Sequence, residues 1–263
     1  MSRRRFHAPP EAFTESGGEL LVTLASEEAR HLRDVLRLGT GDEAFVFDGE
    51  GREYLCTVKA NGRGGSRQDK TATLAVRERA NAPRPESSLY LTLAVALLKG
   101  EKFDLVVQKA TELGVTRVVP VVTKRADVRL RDTSDGTKRA ARWQRLALEA
   151  AKQSGRARVP RVATPASLAE VLAGAGGAGK EAARLMFAER AGNALIDETD
   201  ESVAHPSELV ALVGPEGGWE DEEIDQAIKA GWRVVTLGGR TLRAETAAII
   251  VTTLLQHRYG DLV

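Results

Sequence analysis

The chain carries one cysteine, Cys56, in 263 residues. That excludes an internal disulfide and leaves a structural zinc cage without its usual thiols. Long apolar runs are missing too: none approaches the roughly 18 residues that cross a membrane as a helix. The basic start MSRRRFHAPPEAF lacks the apolar stretch of a signal peptide, and a cytoplasmic location is expected. Four histidines (His7, His31, His205, His257) stand without metal-ligand spacing, and no Ser-His-Asp or Cys-His arrangement is spelled. Neither a metal centre nor hydrolysis through a covalent nucleophile is expected.

Net charge is also nearly absent, at +1, until it is divided along the chain. Residues 99–161 hold 16 Lys+Arg against 7 Asp+Glu, residues 162–235 hold 5 against 14, and residues 1–80 hold 13 of each. A basic middle beside an acidic stretch suits one surface that meets a polyanion and another with different work; solvated helix faces account for such charge equally well.

RERANAPRPESS (77–88), with two prolines and no apolar periodicity, reads as a linker. Before it, GELLVTL, DEAFVFDG, EYLCTVKA and TATLAVRE alternate as strands of a small β-barrel or sandwich. SEEARHLRDVLRLG between the first two reads as a short helix with Ser26 as N-cap and Gly39 as its stop. NGRGGSRQDK (61–70) reads as a hairpin loop. After the linker come apolar strand runs, LYLTLAVALL, RVVPVV, RLMFAER, ELVALV and WRVVTL. They alternate with helical patterns at 101–114, 137–155, 167–174, 221–231 and 245–260. This is an α/β pattern with a parallel sheet covered on both faces. In such sheets ligands sit beyond the carboxyl ends of the strands. Two Gly-rich stretches fall at that edge: GPEGG (214–218) and LGGRTLRAET (237–246).

GAGGAGK (174–180) fits the P-loop spelling but follows a helix, and Glu181 stands where a Mg²⁺-binding hydroxyl is required. It is set aside as a flexible loop. GPEGG is followed by Glu220, Asp221, Glu222 and Glu223, which compete with a phosphate at the next helix start. The acidity points to a neutral or cationic ligand rich in hydroxyls, a nucleoside rather than a nucleotide; a tight β–α turn whose glycines serve only the chain is the alternative. In LGGRTLRAET, Arg243 just before a helix is expected to pair with Glu245, Glu216 or a substrate. Basic residues recur in a nucleic-acid pattern. Arg3, Arg4 and Arg5 stand beside a stackable Phe6, and Arg30, Arg33 and Arg37 share a helical face opposite Leu32, Val35 and Leu36. Lys102, Lys124, Arg125 and Arg156 extend the set.

HLRDVLRL, LLKGEKFDLVVQKATELGV, QSGRARVP, LVGPEGGWEDEEI and LGGRTLRAETAAI, in this order, resemble the RsmE family of bacterial 16S ribosomal RNA methyltransferases in the SPOUT superfamily. The resemblance runs over nearly the whole chain. It implies a PUA-like β-barrel for RNA recognition (1–76), the linker 77–88, and an α/β domain tied in a trefoil knot (89–263). It further implies a homodimer that binds S-adenosylmethionine and methylates N3 of a uridine of 16S rRNA within the small ribosomal subunit. Carried onto this chain, the cofactor loops comprise Phe187, Ala188 and Glu189; Leu212, Gly214, Glu216, Gly217 and Gly218; and Leu237, Gly238, Leu242, Arg243, Thr246 and Ala247. Gln153, Ser154, Gly155 and Arg156 fit the family pattern, whereas Lys152 departs from it.

The cofactor so implied has no phosphate, which agrees with the acidity around GPEGG. Arg243 is the expected catalytic cation, stabilising the anion that develops on a uracil oxygen. Glu245 is either a base or the partner of Arg243. A related knotted methyltransferase of another RNA such as tRNA, and an RNA-binding module without catalysis, remain the alternatives.

Overall fold

The computed structural model describes residues 3–60, 71–126, 128–175, 179, 181–190, 192–194 and 206–262. The hairpin loop 61–70, His205 and most of the P-loop-like stretch lie outside them. The chain divides into two compact units. One comprises Met1–Glu86 with Ala151–Val159, the other Ser87–Ala150 with Pro160–Val263.

The first unit is built on six strands: β1 (Arg5–His7), β2 (Phe13–Ser16), β3 (Glu19–Leu24), β4 (Glu43–Phe47), β5 (Glu53–Ala60) and β6 (Ala72–Ala80). They run in the order β1-β4-β5-β6-β3-β2, antiparallel except for the parallel pair β1–β4. Gly17 and Gly18 turn β2 into β3 with φ of 60° and 77°, the left-handed pair that a two-residue hairpin needs. Alternate residues of the strands point inward, and Leu24, Val46, Cys56, Val58 and Leu74 form a closed core. Burial pushes the Cys56 thiol up to about 12, so this lone cysteine is an inert core residue.

β6 runs on to Ala80, so strand continues four residues into the stretch expected as linker. Glu86, near that stretch's end, accepts the N–H groups of Ala157 and Arg158 at 3.1 and 2.9 Å. The expected helix after β3 is shorter and differently built. α1 (Ser26–Arg30) is capped by Ala25 without a side-chain bond, and His31–Val35 continues as a π-turn. Ser26 is therefore not the N-cap. The extra residue per turn rotates Val35 outward, to 66 % exposure, and Arg37 stands beyond the helix at φ 56°. Arg37 leaves the expected face for that reason, while Arg30 and Arg33 line one surface hollow with Ser26 and Glu27.

The second unit is a parallel sheet of eight strands: β7 (Tyr90–Ala96), β8 (Arg117–Val122), β9 (Arg161–Val162), β10 (Ala166–Ser167), β11 (Ala183–Phe187), β12 (Asn193–Ala194), β13 (Glu208–Val213) and β14 (Arg233–Thr236). The order is β10-β8-β7-β13-β11-β14-β12, with β9 also on β8. β7, β8 and β13 are near-continuous apolar runs because both faces of the sheet are covered. The helices are α2 (Lys102–Glu112), α3 (Thr133–Ser154), α4 (Leu168–Glu170, extended by a π-turn), α5 (Asp221–Lys229) and α6 (Ala244–Tyr259). α2 buries Phe103, Val106, Val107 and Ala110, as its periodicity requires. α6 leaves β14 and packs back against β13, β7 and α2. Among the described residues no helix is long and apolar enough to cross a membrane.

Candidate functional site

Parallel strands bring all their carboxyl ends to one edge, and there the second unit opens a cleft of about 370 Å³. Three segments line it: Phe187–Arg190 after β11, Val213–Trp219 after β13, and Thr236–Leu242 after β14. Asp221 and Ile224 of α5, Ala244 and Ala247 of α6, and Arg125 after β8 complete the wall.

The glycines of GPEGG serve close approach inside the protein. A Cβ on Gly214 would stand 2.8 Å from the Trp219 indole. The absence of that carbon lets the indole lie across the strand end, where its Nε1 donates to the Phe187 carbonyl at 2.8 Å. Gly217 accepts the side chain of Arg125, whose Cβ would be 3.1 Å from a Cβ there. The Arg125 guanidinium donates to the Gly217 carbonyl at 3.2 Å. The turn closes with the Gly218 N–H donating to the Pro215 carbonyl at 3.0 Å, Gly218 itself at φ 70°.

Glu216, Glu220, Glu222 and Glu223 have partners within the chain, while Glu216 and Asp221 also line the cleft. Lys102 donates to Glu216, and this hydrogen bond raises the pKa of its ammonium. Lys124 donates to Glu222 at 2.7 Å and pairs with Glu220 at 3.0 Å; its pKa is raised, and that of Glu222 lowered, by their bond. Glu223 is buried and accepts two backbone N–H groups, from Glu220 at 3.0 Å and Lys124 at 3.2 Å. The acidic run is thus a set of counterions and caps.

The second Gly-rich loop has few bonds of its own. Gly238 and Gly239 are consecutive left-handed residues at φ 70° and 73°. The Gly238 N–H donates to Thr236 Oγ1 at 3.1 Å, and Arg240 N–H to the Gly238 carbonyl at 2.9 Å. Arg243 is the N-cap of α6, with no side-chain capping bond. Its side chain is exposed rather than buried, and its carbonyl accepts the Ala247 N–H at 2.8 Å, while its guanidinium has no hydrogen-bond or ion-pair partner among the described residues. The expected pairing with Glu245 or Glu216 is absent, because Lys102 holds Glu216. Glu245, in the first turn of α6, is buried, and its Oε2 meets no hydrogen-bond donor.

Of the residues expected around the cofactor, Phe187, Ala188, Glu189, Gly214, Glu216, Gly217, Gly218, Leu237, Gly238, Leu242 and Ala247 line the cleft. Leu212 is fully buried in the core, and Thr246 and Arg243 stand outside the lining. Trp219, Thr236 and Arg190 line it without having been expected, and Arg240 lines it from within the expected loop Leu237 to Ala247. The tryptophan directly after GPEGG was the one available signal, an indole placed where a Gly-rich turn makes room.

The residues expected to meet RNA divide sharply. Phe6 is fully buried, its ring edge-on to His31 at 5.9 Å, so it is a core residue and no stacking platform. Arg5 bonds Glu53 at 2.8 Å and the Arg156 carbonyl at 3.0 Å. Arg156 is buried and donates to Glu86 at 2.7 Å. Those two arginines tie the first unit together. Lys152, the departure from the family pattern, donates to Glu28 at 2.7 Å in the same unit. Arg3 lies over Phe45 at 4.5 Å, Arg33 is held by Asp34, and Arg4, Arg30 and Arg37 are exposed. Lys102 and Arg125 are bonded to GPEGG, and Lys124 to the acids that open α5.

A parallel α/β sheet with two Gly-rich turns around a nucleoside-sized cleft defines a class of ligand-binding enzyme folds, and comparison with known proteins narrows it. The RNA methyltransferase domain family matches residues 85–256, and the RNA methyltransferase PUA domain family matches residues 24–65. The ribosomal RNA small subunit methyltransferase E of Synechocystis is 34 % identical over 88 % of this chain and 71 % of its own length. That of Mycobacterium tuberculosis is 33 % identical over 88 % and 84 %. The crystal structure of a ribosomal RNA small subunit methyltransferase E from Neisseria gonorrhoeae, bound to S-adenosyl methionine, matches with TM-score 0.81 at 32 % identity, covering 100 % of both chains. A Legionella pneumophila methyltransferase with bound cofactor matches with TM-score 0.81 at 29 % identity, again covering 100 % of both. The chain belongs to the RNA methyltransferases, in the family of ribosomal RNA small subunit methyltransferase E.

Proposed function

We propose that the chain methylates N3 of a uridine of 16S rRNA in the small ribosomal subunit, with S-adenosylmethionine as donor. The observation that carries this is the cleft at the carboxyl ends of β11, β13 and β14, in a chain similar over its full length to a relative solved with that cofactor. The lining fits such a molecule. Its 370 Å³ lies within the roughly 300–1,000 Å³ of small-molecule sites. Phe187, Ile224, Leu237 and Leu242 offer apolar surface for a base. At Gly218, Gly238 and Gly239 a Cβ would meet nothing within 4 Å, so the turn surface there is open to a ligand's approach.

When bound, S-adenosylmethionine supplies an electrophilic methyl group on a sulfonium. The chain's own residues orient the acceptor and manage its proton. Uridine N3 is nucleophilic only once its imide proton is lost. Arg243, exposed and unpaired at the start of α6, stabilises the negative charge that spreads to the uracil oxygens. Glu245, buried with an unbonded carboxylate oxygen, is the acceptor for the imide proton. Of the first-unit arginines expected to meet RNA, Arg4, Arg30 and Arg37 are exposed and suit RNA phosphates. The deciding experiment is mass mapping of 16S rRNA from a deletion strain after add-back of purified protein. A methyl restored at a uridine N3 supports the reading; one restored only on tRNA, or nowhere, contradicts it.

We propose further that the protein is a homodimer in the cytoplasm, where its ribosomal substrate is. Beside the exposed Thr253 and His257, α6 shows Ile249, Ile250 and Leu254 part-exposed, and a second copy covers those apolar side chains. Sedimentation of the wild type against Ile249→Lys tests this, a monomeric wild type being the contrary result. The chain passes from β11 to β13 on one side and to β14 on the other before α6 returns, which supports a trefoil knot. Smoothing the backbone trace with its ends fixed, to a knot or to a line, decides it.

A further inference from the structure

We propose that Lys102 is a positioning residue that holds the GPEGG loop in its ligand-ready shape from outside the cleft. This deepens, and rests on, the methyltransferase reading above. Lys102 opens α2 and is not part of the cleft lining. Its ammonium donates to Glu216, at the tip of the loop. It also feels the opposite charge of Glu245 and the like charge of Arg243, at the start of α6. One cation on a third element thus faces charges on both Gly-rich loops. Arg125 holds the same loop from the other side, through the Gly217 carbonyl, and Lys124 pairs with Glu220 just beyond it.

These contacts hold from within the chain a Gly-rich turn that is costly to order, because glycine loses the most backbone freedom. Ordering it in advance removes that cost from binding. The Lys102–Glu216 pair is about one-third exposed on each side, so salt screens it. Exposed pairs of this kind contribute little, which sets a modest effect, about three- to fivefold in affinity.

The test has a ligand-free arm and a cofactor arm. In the ligand-free protein, Lys102→Met should speed amide exchange in residues 214–219, while Lys102→Arg leaves it near wild type. In the second arm, Lys102→Met should raise the KM for S-adenosylmethionine three- to fivefold with kcat unchanged. The charge swap Lys102→Glu with Glu216→Lys should recover most of that loss. Raising NaCl should weaken cofactor binding to the wild type more than to Lys102→Met. Unchanged exchange in 214–219 overturns the proposal, as does a fall in kcat with KM constant. If the wild type does not bind S-adenosylmethionine yet exchange still rises in Lys102→Met, the positioning role stands and the functional reading falls.

Discussion

The two Gly-rich loops of the cleft lie side by side at the sheet edge and are held in opposite ways. GPEGG is fastened at three points, Trp219 against Gly214, Arg125 on Gly217 and Lys102 on Glu216, and Glu223 fixes the start of α5 just beyond it. Among the described residues, LGGRTLRAET is held only by hydrogen bonds of its own neighbourhood, Gly238 N–H to Thr236, Arg240 N–H to the Gly238 carbonyl and Ala247 N–H to the Arg243 carbonyl, and its two left-handed glycines face open space. One loop is preformed by the protein; the other is left for its ligands to order. The preformed loop supplies the fixed wall, and the open one carries the residue proposed for chemistry, Arg243.

The largest effects should come from breaking the fastened loop. Gly214→Ala places a carbon against the Trp219 indole, costing about 1–3 kcal/mol and abolishing cofactor binding, as thermal unfolding and calorimetry would show. Trp219→Phe removes the bond to the Phe187 carbonyl, costing about 1 kcal/mol and weakening the cofactor about tenfold. On the open loop the pattern reverses. Arg243→Ala should leave unfolding and cofactor affinity unchanged while methylation of small subunits falls at least 100-fold; full activity would remove Arg243 from the chemistry. Smallest is Thr236→Val, which loses only the bond to the Gly238 N–H and should shift stability by under about 1 kcal/mol.

The architecture was legible where period and punctuation agree. β5 and β8 fall on the residues their alternation and apolar runs indicate, and α2 buries the expected face. β9, β10 and β12 are two residues each, too short to carry a period. The π-turn at His31–Val35 has no sequence spelling, so the arginine face drawn through it loses Arg37. At the site, positions of the glycines could be read but their reasons could not. A glycine that admits an indole and one that admits a ligand look alike until Trp219 is seen against Gly214. Charge misled in the same way. The acids after GPEGG and the lysines of the basic middle were read as two separate surfaces, and they neutralise each other across distances in sequence of about a hundred residues. Phe6 beside three arginines is spelled like a stacking site, yet its alternation within β1 turns the ring into the core.

Amide exchange of the wild type with and without S-adenosylmethionine compares the two loops directly. The preformed-wall account predicts that residues 214–219 are protected before cofactor is added and change little, while residues 237–243 exchange fast and gain protection on binding. Fast exchange in 214–219 of the free protein, with the larger gain there, would contradict it.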